Sequence, residues 1–130
     1  MSAIHGIASY FVPGLGQFIN GDKKEGSKYL GKHIGYTAGA TVASTAGALG
    51  YMGINTLASA DAAKISSKVV KGIKGAIDKN PKAAGVAAAA CLITGSLTAL
   101  GLGVATFANH IKSIVSAAKL NKVEADTKTE

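Results

Sequence analysis

Residues 9–26 read SYFVPGLGQFINGDKKEG, an apolar run that is interrupted at residues 13–17 and ended by a charged turn. Proline lacks a backbone donor and disfavours helical geometry in the residue before it, so Pro13 predicts a break in a helix arriving through Phe11. Gly14 and Gly16 permit unusual dihedral angles and close approach of backbones. The pentapeptide at residues 13–17, called the PGLGQ motif below, therefore predicts a kink between two short helical pieces.

The turn after the motif predicts where the next helix begins. Asn20, Gly21 and Asp22 form a strong turn signal, and Asp22 is placed to cap a helix whose first turn holds Glu25. No proline follows until Pro81, so this helix can continue to residue 60.

Two amide side chains in the stretch are candidates for a polar site. Gln17 and Asn20 can hydrogen-bond the backbone groups that Pro13 and the glycines leave free, which is a structural role. The functional alternative is a small polar site for an ion, a lipid head group or a partner helix. The predicted kink comprises Pro13, Gly14, Gly16, Gln17 and Asn20.

The distribution of charge predicts the fold class. A chain of 130 residues has room for one domain or one small membrane-embedded unit. Residues 34–60 and 83–109, each 27 residues long, contain no Asp, Glu, Lys or Arg. A helix needs about 20 residues to cross the hydrocarbon core of a bilayer. We therefore expect an all-α protein with two membrane spans, both rich in Gly and Ala.

Small residues recur every four positions in both spans, which places them on one helix face. In lipid such a ladder lets helix backbones approach closely, and the same faces could hold two copies of the chain together. The alternative is a simple compositional drift toward Gly and Ala. The predicted packing residues are Gly31, Gly35, Gly39, Ala43 and Gly47 in the first helix and Gly95, Ala99 and Gly103 in the second.

A basic amphipathic segment separates the two spans. Its lysines share one face and its aliphatic residues another, a pattern typical of helices that lie in the membrane interface but also of the solvated face of a helical hairpin. All 14 basic residues are lysines, and the net charge is +7. Anionic lipid is the expected partner, and nucleic acid is not, because aromatics do not interleave with the lysines. The predicted lipid-surface residues are Lys64, Lys68, Lys71 and Lys74.

No pattern in the chain indicates an enzyme. Cys91 is the only cysteine, and His5, His33 and His110 are isolated from one another in sequence, so neither a disulfide nor a metal site is expected. The dinucleotide fingerprint, the P-loop and the Gly-x-Ser-x-Gly elbow are also missing. We therefore expect no catalytic residues, no cofactor and no small-molecule substrate.

The motif carries a family resemblance. PGLGQFING at residues 13–21, followed by Lys24, Glu25 and Gly26, resembles a widespread group of small, mostly uncharacterised prokaryotic membrane proteins, and more distantly the two-helix transmembrane domain. The match covers about residues 8–36. It implies an integral membrane protein with a compact N-terminal helical hairpin, and it implies no reaction.

Together these features predict a small helical membrane protein of the prokaryotic cytoplasmic membrane, crossing it more than once. Its segments would be a kinked hairpin at 1–33, a span at 34–60, a basic amphipathic bridge at 61–82, a second span at 83–109 and a charged extension at 110–130. The expected role is structural, in helix–helix assembly. One alternative is a cationic pore-forming polypeptide of the bacteriocin or holin kind; another is a soluble helical bundle.

Overall fold

The computed structural model describes the backbone of residues 2–127 and the side chains of residues 4–119. Across residues 2–127 the chain is all-α and contains no strand, which confirms the predicted class. In chain order the elements are α1 (Ser2–Phe11), α2 (Leu15–Ile19), α3 (Lys23–Ser59), a 3₁₀ turn (Ala62–Lys64), α4 (Lys68–Lys79) and α5 (Pro81–Thr127).

The long helices begin where the sequence predicts, because their caps are local. Asp22 Oδ1 accepts the backbone N–H of Glu25 at 3.0 Å, and α3 starts directly after Asp22. Pro81 is the first residue of α5, a position where its missing N–H costs no helical hydrogen bond. The two predicted helix starts are therefore confirmed.

Both long helices continue through the predicted segment boundaries. α3 contains 37 residues and runs from the charged turn through the uncharged stretch without a break at residue 33. α5 contains 47 residues and joins the second uncharged stretch to the charged extension.

The basic segment is divided into two pieces by its own capping residues. Asp61 accepts the N–H of Ala63 at 3.0 Å and starts the 3₁₀ turn, whereas Ser67 caps the first turn of α4. A single helix over the whole segment is therefore not formed. Lys64 belongs to the 3₁₀ turn and the other three predicted lipid-surface lysines belong to α4.

The chain divides into two compact units. The first consists of Met1–Gly39 with Gly101–Glu130, and the second of Ala40–Leu100. In the second unit α3 and α5 touch through glycines: a Cβ on Gly47 would lie 2.9 Å from the Cα of Gly95 and 2.7 Å from the carbonyl oxygen of Cys91. Gly50, one turn further along α3, meets the side chain of Cys91, one turn earlier in α5. The two helices are therefore antiparallel in this unit.

One helix in the described chain is long and apolar enough to cross a membrane. This is the Pro81–Lys119 part of α5, with a mean hydropathy of 1.8 in its most apolar window, and most of that window is exposed. α3 is as long as such a span requires but does not reach the same hydropathy, because Gly, Ala, Ser and Thr fill its uncharged stretch.

Candidate functional site

The first two residues of the PGLGQ motif, together with Val12, form a tight turn between α1 and α2, and Gly14 is its pivot. The other three residues of the motif begin α2. Gly14 has a φ of +93°, a left-handed conformation that residues with a Cβ rarely adopt. A Cβ there would also overlap the carbonyl oxygen of Gly26 in α3. Pro13 and Gly14 are both buried. Gly14 is therefore required both by its backbone conformation and by the space available.

Two further glycines allow α2 to pack closely on its neighbours. A Cβ on Gly16 would overlap the carbonyl oxygen of His5 and lie 2.6 Å from Ser9 Oγ, so α2 touches the backbone of α1. A Cβ on Gly26 would lie 2.8 Å from the Phe18 ring, so the ring lies against the first turns of α3. We call α1, the turn and α2 together the N-terminal hairpin.

A buried polar network holds the hairpin to α5. Ser9, Gln17 and Ser113 are each fully buried, and they are the largest fully buried side chains in the described chain. Gln17 Nε2 donates to the carbonyl oxygen of Ser113 at 2.8 Å, and Ser9 Oγ donates to Gln17 Oε1 at 3.1 Å. The contact between Gln17 and Ser113 joins residues 96 positions apart in sequence.

The two serines also satisfy the backbone of the turn. The N–H of Gly14 donates to Ser113 Oγ at 2.7 Å, and the N–H of Gly16 donates to Ser9 Oγ at 2.9 Å. The first N–H groups of a helix have no partner within the helix, and a buried donor without an acceptor costs about 1–3 kcal/mol. The Ser9–Gln17–Ser113 network therefore makes the burial of this turn possible.

Gln17 is polar and buried, but its partners differ from the predicted ones. The backbone groups that the kink leaves free are bonded by Ser9 and Ser113, whereas the Gln17 amide bonds to the backbone of α5. The half-buried Asn20 ends α2, and its backbone N–H returns to the carbonyl oxygen of Gly16 at 3.1 Å. Ser9 and Ser113 were missed because an isolated serine on an apolar helix has no distinctive pattern.

A second set of polar contacts lies one turn before Ser113 on α5. Asn109 is buried and its Nδ2 donates to the carbonyl oxygen of Tyr29 in α3 at 2.9 Å. His110 Nε2 donates to the carbonyl oxygen of Tyr10 at the end of α1. Because a carbonyl oxygen can only accept, Nε2 of His110 carries a proton in this contact. Asn109, His110 and Ser113 thus tie α5 to α3, α1 and the turn.

Two histidines that are distant in sequence meet in the same unit. The rings of His33 and His110 pack edge to face with centroids 5.9 Å apart. Within residues 4–119 no group of three or more His, Cys, Asp or Glu residues is arranged to hold a metal ion. The histidine pair is therefore a ring contact between α3 and α5.

The predicted packing residues fall into two groups. In the second unit Gly47 and Gly95 are buried against each other, with Ala43 half-buried beside them. In the first unit a Cβ on Gly39 would lie 3.0 Å from the Leu102 side chain. Ala99 is half-buried, and Gly31, Gly35 and Gly103 are exposed with no heavy atom within 4 Å of an added Cβ.

The predicted lipid-surface lysines do not all lie on an exposed surface. Lys64, Lys68 and Lys71 are exposed, whereas Lys74 is buried. The Lys74 ammonium donates to the carbonyl oxygen of Ala58 at 3.2 Å and pairs with Asp78. Ala58 lies in the last turn of α3, where carbonyl groups lack helical partners. Lys74 therefore fastens α4 to the end of α3, because this cation satisfies a free carbonyl.

An ion pair on the surface of α3 accompanies the first turn. Lys28 Nζ donates to Glu25 Oε1 at 3.0 Å, and this hydrogen bond raises the pKa of Lys28, with the negative charge of Glu25 as the second cause. Exposed pairs of this kind contribute little to stability. The charge of this turn is thus partly compensated, while Lys24 and Lys32 remain exposed.

Comparison with known proteins gives no family: no protein-family model, curated protein or solved structure matches the chain. Over residues 2–127 the chain is an all-α protein, and one helix in its described part is suited by length and composition to crossing a membrane.

Proposed function

We infer that this chain is a small integral membrane protein with a structural role, in which the hairpin and the two long helices assemble within the bilayer. The observation that carries the proposal is the placement of apolar side chains. Among residues 4–119, 23 large hydrophobic residues are exposed, including Phe11, Leu97 and Phe107 at 74%, 63% and 68%. In the same range the buried hydrophobic residues are Ile77, Ala88 and Ala117.

The size of this imbalance favours lipid as the solvent for these side chains. Fully burying a Val, Leu, Ile or Phe side chain is worth about 1.5–3 kcal/mol, so leaving half of each exposed forgoes roughly 1 kcal/mol per residue. Over the exposed set the sum is on the order of 20 kcal/mol, more than the whole stability of a typical domain at about 5–15 kcal/mol. A bilayer removes this cost because its acyl chains cover the same surface.

The polar interior supports the same conclusion. In lipid, backbone groups and polar side chains have to find partners inside the protein. The hairpin turn follows this rule, since Ser9, Gln17 and Ser113 are buried and hydrogen-bonded while the apolar side chains around them face outward. A soluble bundle has the opposite arrangement.

The proposal includes a second crossing by α3. Its uncharged stretch has few strongly apolar residues, but its contact with α5 at Gly47 and Gly95 brings the two backbones together. Such close contacts allow a weakly apolar helix to be held in the bilayer by packing against a more apolar neighbour. The exposed small residues Gly31, Gly35 and Gly103 would be available to a second copy of the chain.

Anionic lipid is the proposed partner of the charged ends. Lys64, Lys68 and Lys71 are exposed beside Val69 and Ile73, which are 73% and 48% exposed. A juxtamembrane lysine near an anionic surface contributes about 1 kcal/mol to binding. The role proposed here is assembly and not catalysis.

Carbonate extraction tests the proposal directly. The full chain, expressed in bacteria, should stay in the membrane pellet at alkaline pH, because α5 and its neighbours are embedded. Release into the supernatant together with peripheral proteins would show that the bilayer does not surround the exposed apolar residues. A monodisperse species without detergent would point to the soluble bundle instead.

The exposed face of α4 favours a cationic pore former as the second candidate function. Its lysines and its exposed Val69 and Ile73 are typical of a helix that inserts into an anionic surface. Purified protein added to anionic vesicles loaded with dye would then release it. Stable reconstitution without leakage at every lipid ratio would remove this candidate and leave the structural role.

A further inference from the structure

The N-terminal hairpin buries two of its polar side chains and exposes most of its large apolar ones. Ser9 and Gln17 are fully buried, whereas the outer face exposes Ile4, Ile7 and Phe11 at 59%, 57% and 74%. Leu15 and Ile19 of α2 extend this face at 37% and 53%. Residues 1–21 contain no Asp, Glu, Lys or Arg. The outer face of the hairpin is therefore apolar and uncharged.

The hairpin is too short to cross a bilayer. α1 has 10 residues and α2 has 5, which at a rise of 1.5 Å per residue gives about 15 Å and about 8 Å. The hydrocarbon core is about 30 Å thick. If the hairpin contacts lipid, it enters one leaflet and leaves on the same side.

The turn of the hairpin can be transferred from water to an apolar environment because its backbone N–H groups are hydrogen-bonded within the protein. The N–H groups of Gly14 and Gly16 are bonded by Ser113 and Ser9, and Pro13 has no N–H to satisfy. Irregular backbone is tolerated near lipid only where the protein itself provides such partners. The buried network thus makes the turn compatible with an apolar environment.

The attachment point sets the depth of the hairpin. Its turn bonds to Ser113, next to the exposed Lys112 and just beyond the apolar part of α5 that ends with Phe107 and Ala108. On α3, the exposed Lys24 lies two residues before Gly26, which contacts Gly14. Both neighbouring helices thus carry an exposed lysine within two residues of their contact with the turn, as helices do where they leave the hydrocarbon core.

We propose that the hairpin is an interfacial lipid anchor: its apolar outer face lies at the boundary between acyl chains and head groups of an anionic leaflet, and Lys24 and Lys112 face the lipid phosphates. This inference rests on the proposed membrane location and assigns one element a lipid partner. Amphipathic helices in this position bury their apolar face about 5–10 Å into the boundary region. Charge complementarity selects lipid over a second copy, because the same lysines would repel each other across a symmetric contact.

Tryptophan fluorescence can measure this depth because the chain contains no tryptophan. A Phe11→Trp variant of the full chain carries one reporter on the outer face of the hairpin. A Leu97→Trp variant, at an exposed position within the apolar part of α5, is the matched reference for the bilayer interior. Both are reconstituted in vesicles whose lipids carry bromine either high on the acyl chains or near their ends.

The two variants should differ in which brominated lipid, shallow or deep, quenches the tryptophan more strongly. The tryptophan at position 11 should be quenched about twofold more by shallow bromines than by deep ones, and the one at position 97 should show the reverse order. If position 11 is not quenched at any depth while position 97 is, protein covers the hairpin and the anchor is excluded. If both are quenched by deep bromines, the hairpin is re-entrant and the interfacial placement is wrong. If neither is quenched, the membrane location itself fails.

The anionic part of the proposal needs its own comparison. In mixed vesicles the same amount of shallow bromine is placed either on an anionic lipid or on a zwitterionic one. Quenching of the position 11 reporter should be stronger with the brominated anionic lipid, and K24Q/K112Q should abolish the difference. Equal quenching by both lipids before the lysines are changed would overturn the charge selectivity.

Discussion

Ser113→Ala gives the sharpest test of how the hairpin is held. Ser113 is fully buried, and its Oγ accepts the N–H of Gly14 at 2.7 Å. Alanine removes this acceptor and leaves the N–H buried without a partner, while the Ser113 carbonyl oxygen can still receive Gln17 Nε2. An unsatisfied buried donor costs about 1–3 kcal/mol, so the free energy of unfolding should fall by about 2 kcal/mol.

Ser116→Ala is the matched control for this change. Ser116 lies on the same helix, is half-buried, and takes part in none of the hydrogen bonds of the network. The same substitution there should change stability by less than about 0.5 kcal/mol. Any effect of serine to alanine on helix propensity is common to both variants and cancels in the comparison.

Two measurements check the prediction. Titration of detergent-solubilised protein with a denaturing detergent, followed by circular dichroism, gives the difference in unfolding free energy between the variants. Amide exchange measured by NMR should accelerate at Gly14 by roughly 10- to 100-fold in Ser113→Ala, because each 1.4 kcal/mol corresponds to a factor of ten. If the two variants have the same stability and the Gly14 amide exchanges at the parental rate, the network does not hold the hairpin.

Three further substitutions are expected to separate required positions from permissive ones in the same denaturation assay. Gly14→Ala should lower the free energy of unfolding by at least about 2 kcal/mol, because the φ of Gly14 is +93° and a Cβ there overlaps a neighbouring backbone. Its control, Gly6→Ala, adds a Cβ in open space and should raise the free energy of unfolding by up to about 1 kcal/mol. Equal stability of the two variants would contradict the packing of the turn. Gly47→Ala should lower the free energy of unfolding by about 1–3 kcal/mol, since its Cβ would lie 2.7 Å from a carbonyl oxygen of α5. An unchanged denaturation midpoint would mean that α3 and α5 move apart at this position at no cost in stability. Lys74→Met should lower the free energy of unfolding by about 1–2 kcal/mol, because it removes the ammonium from the end of α3. Its control, Lys71→Met on the exposed face, should change the free energy of unfolding by less than about 0.5 kcal/mol. A similar loss in both variants would show that Lys74 acts only through its charge and not through its contact with α3.

The helix starts could be predicted because their signals are local. Asp22 caps α3 with a side chain three residues from the N–H that it accepts, and Pro81 fixes the dihedral of the first residue of α5. The PGLGQ break is local as well, because proline and glycine impose their geometry on adjacent residues. These features depend on a few neighbouring residues, so one sequence suffices to find them.

The candidate site was less predictable because its partners are distant in the chain. Four-residue spacing identifies a helix face, but the spacing is the same for glycines that pack, such as Gly47, and for glycines that stay exposed, such as Gly31. Lys74 illustrates the same limit. Its position in the basic row does not reveal that the end of α3 lies within reach of its ammonium.

The all-α class, the starts of the long helices, the helix break at Pro13 and the absence of charge from two long stretches can all be read from the amino-acid sequence. These properties follow from backbone geometry and composition, which act over a few residues. Long-range packing is needed to bring Ser113 to the turn and the backbone of α5 to Gln17. It also selects the glycines that allow close contact, because the register between two antiparallel helices depends on the fit of whole surfaces, and no local pattern contains that information.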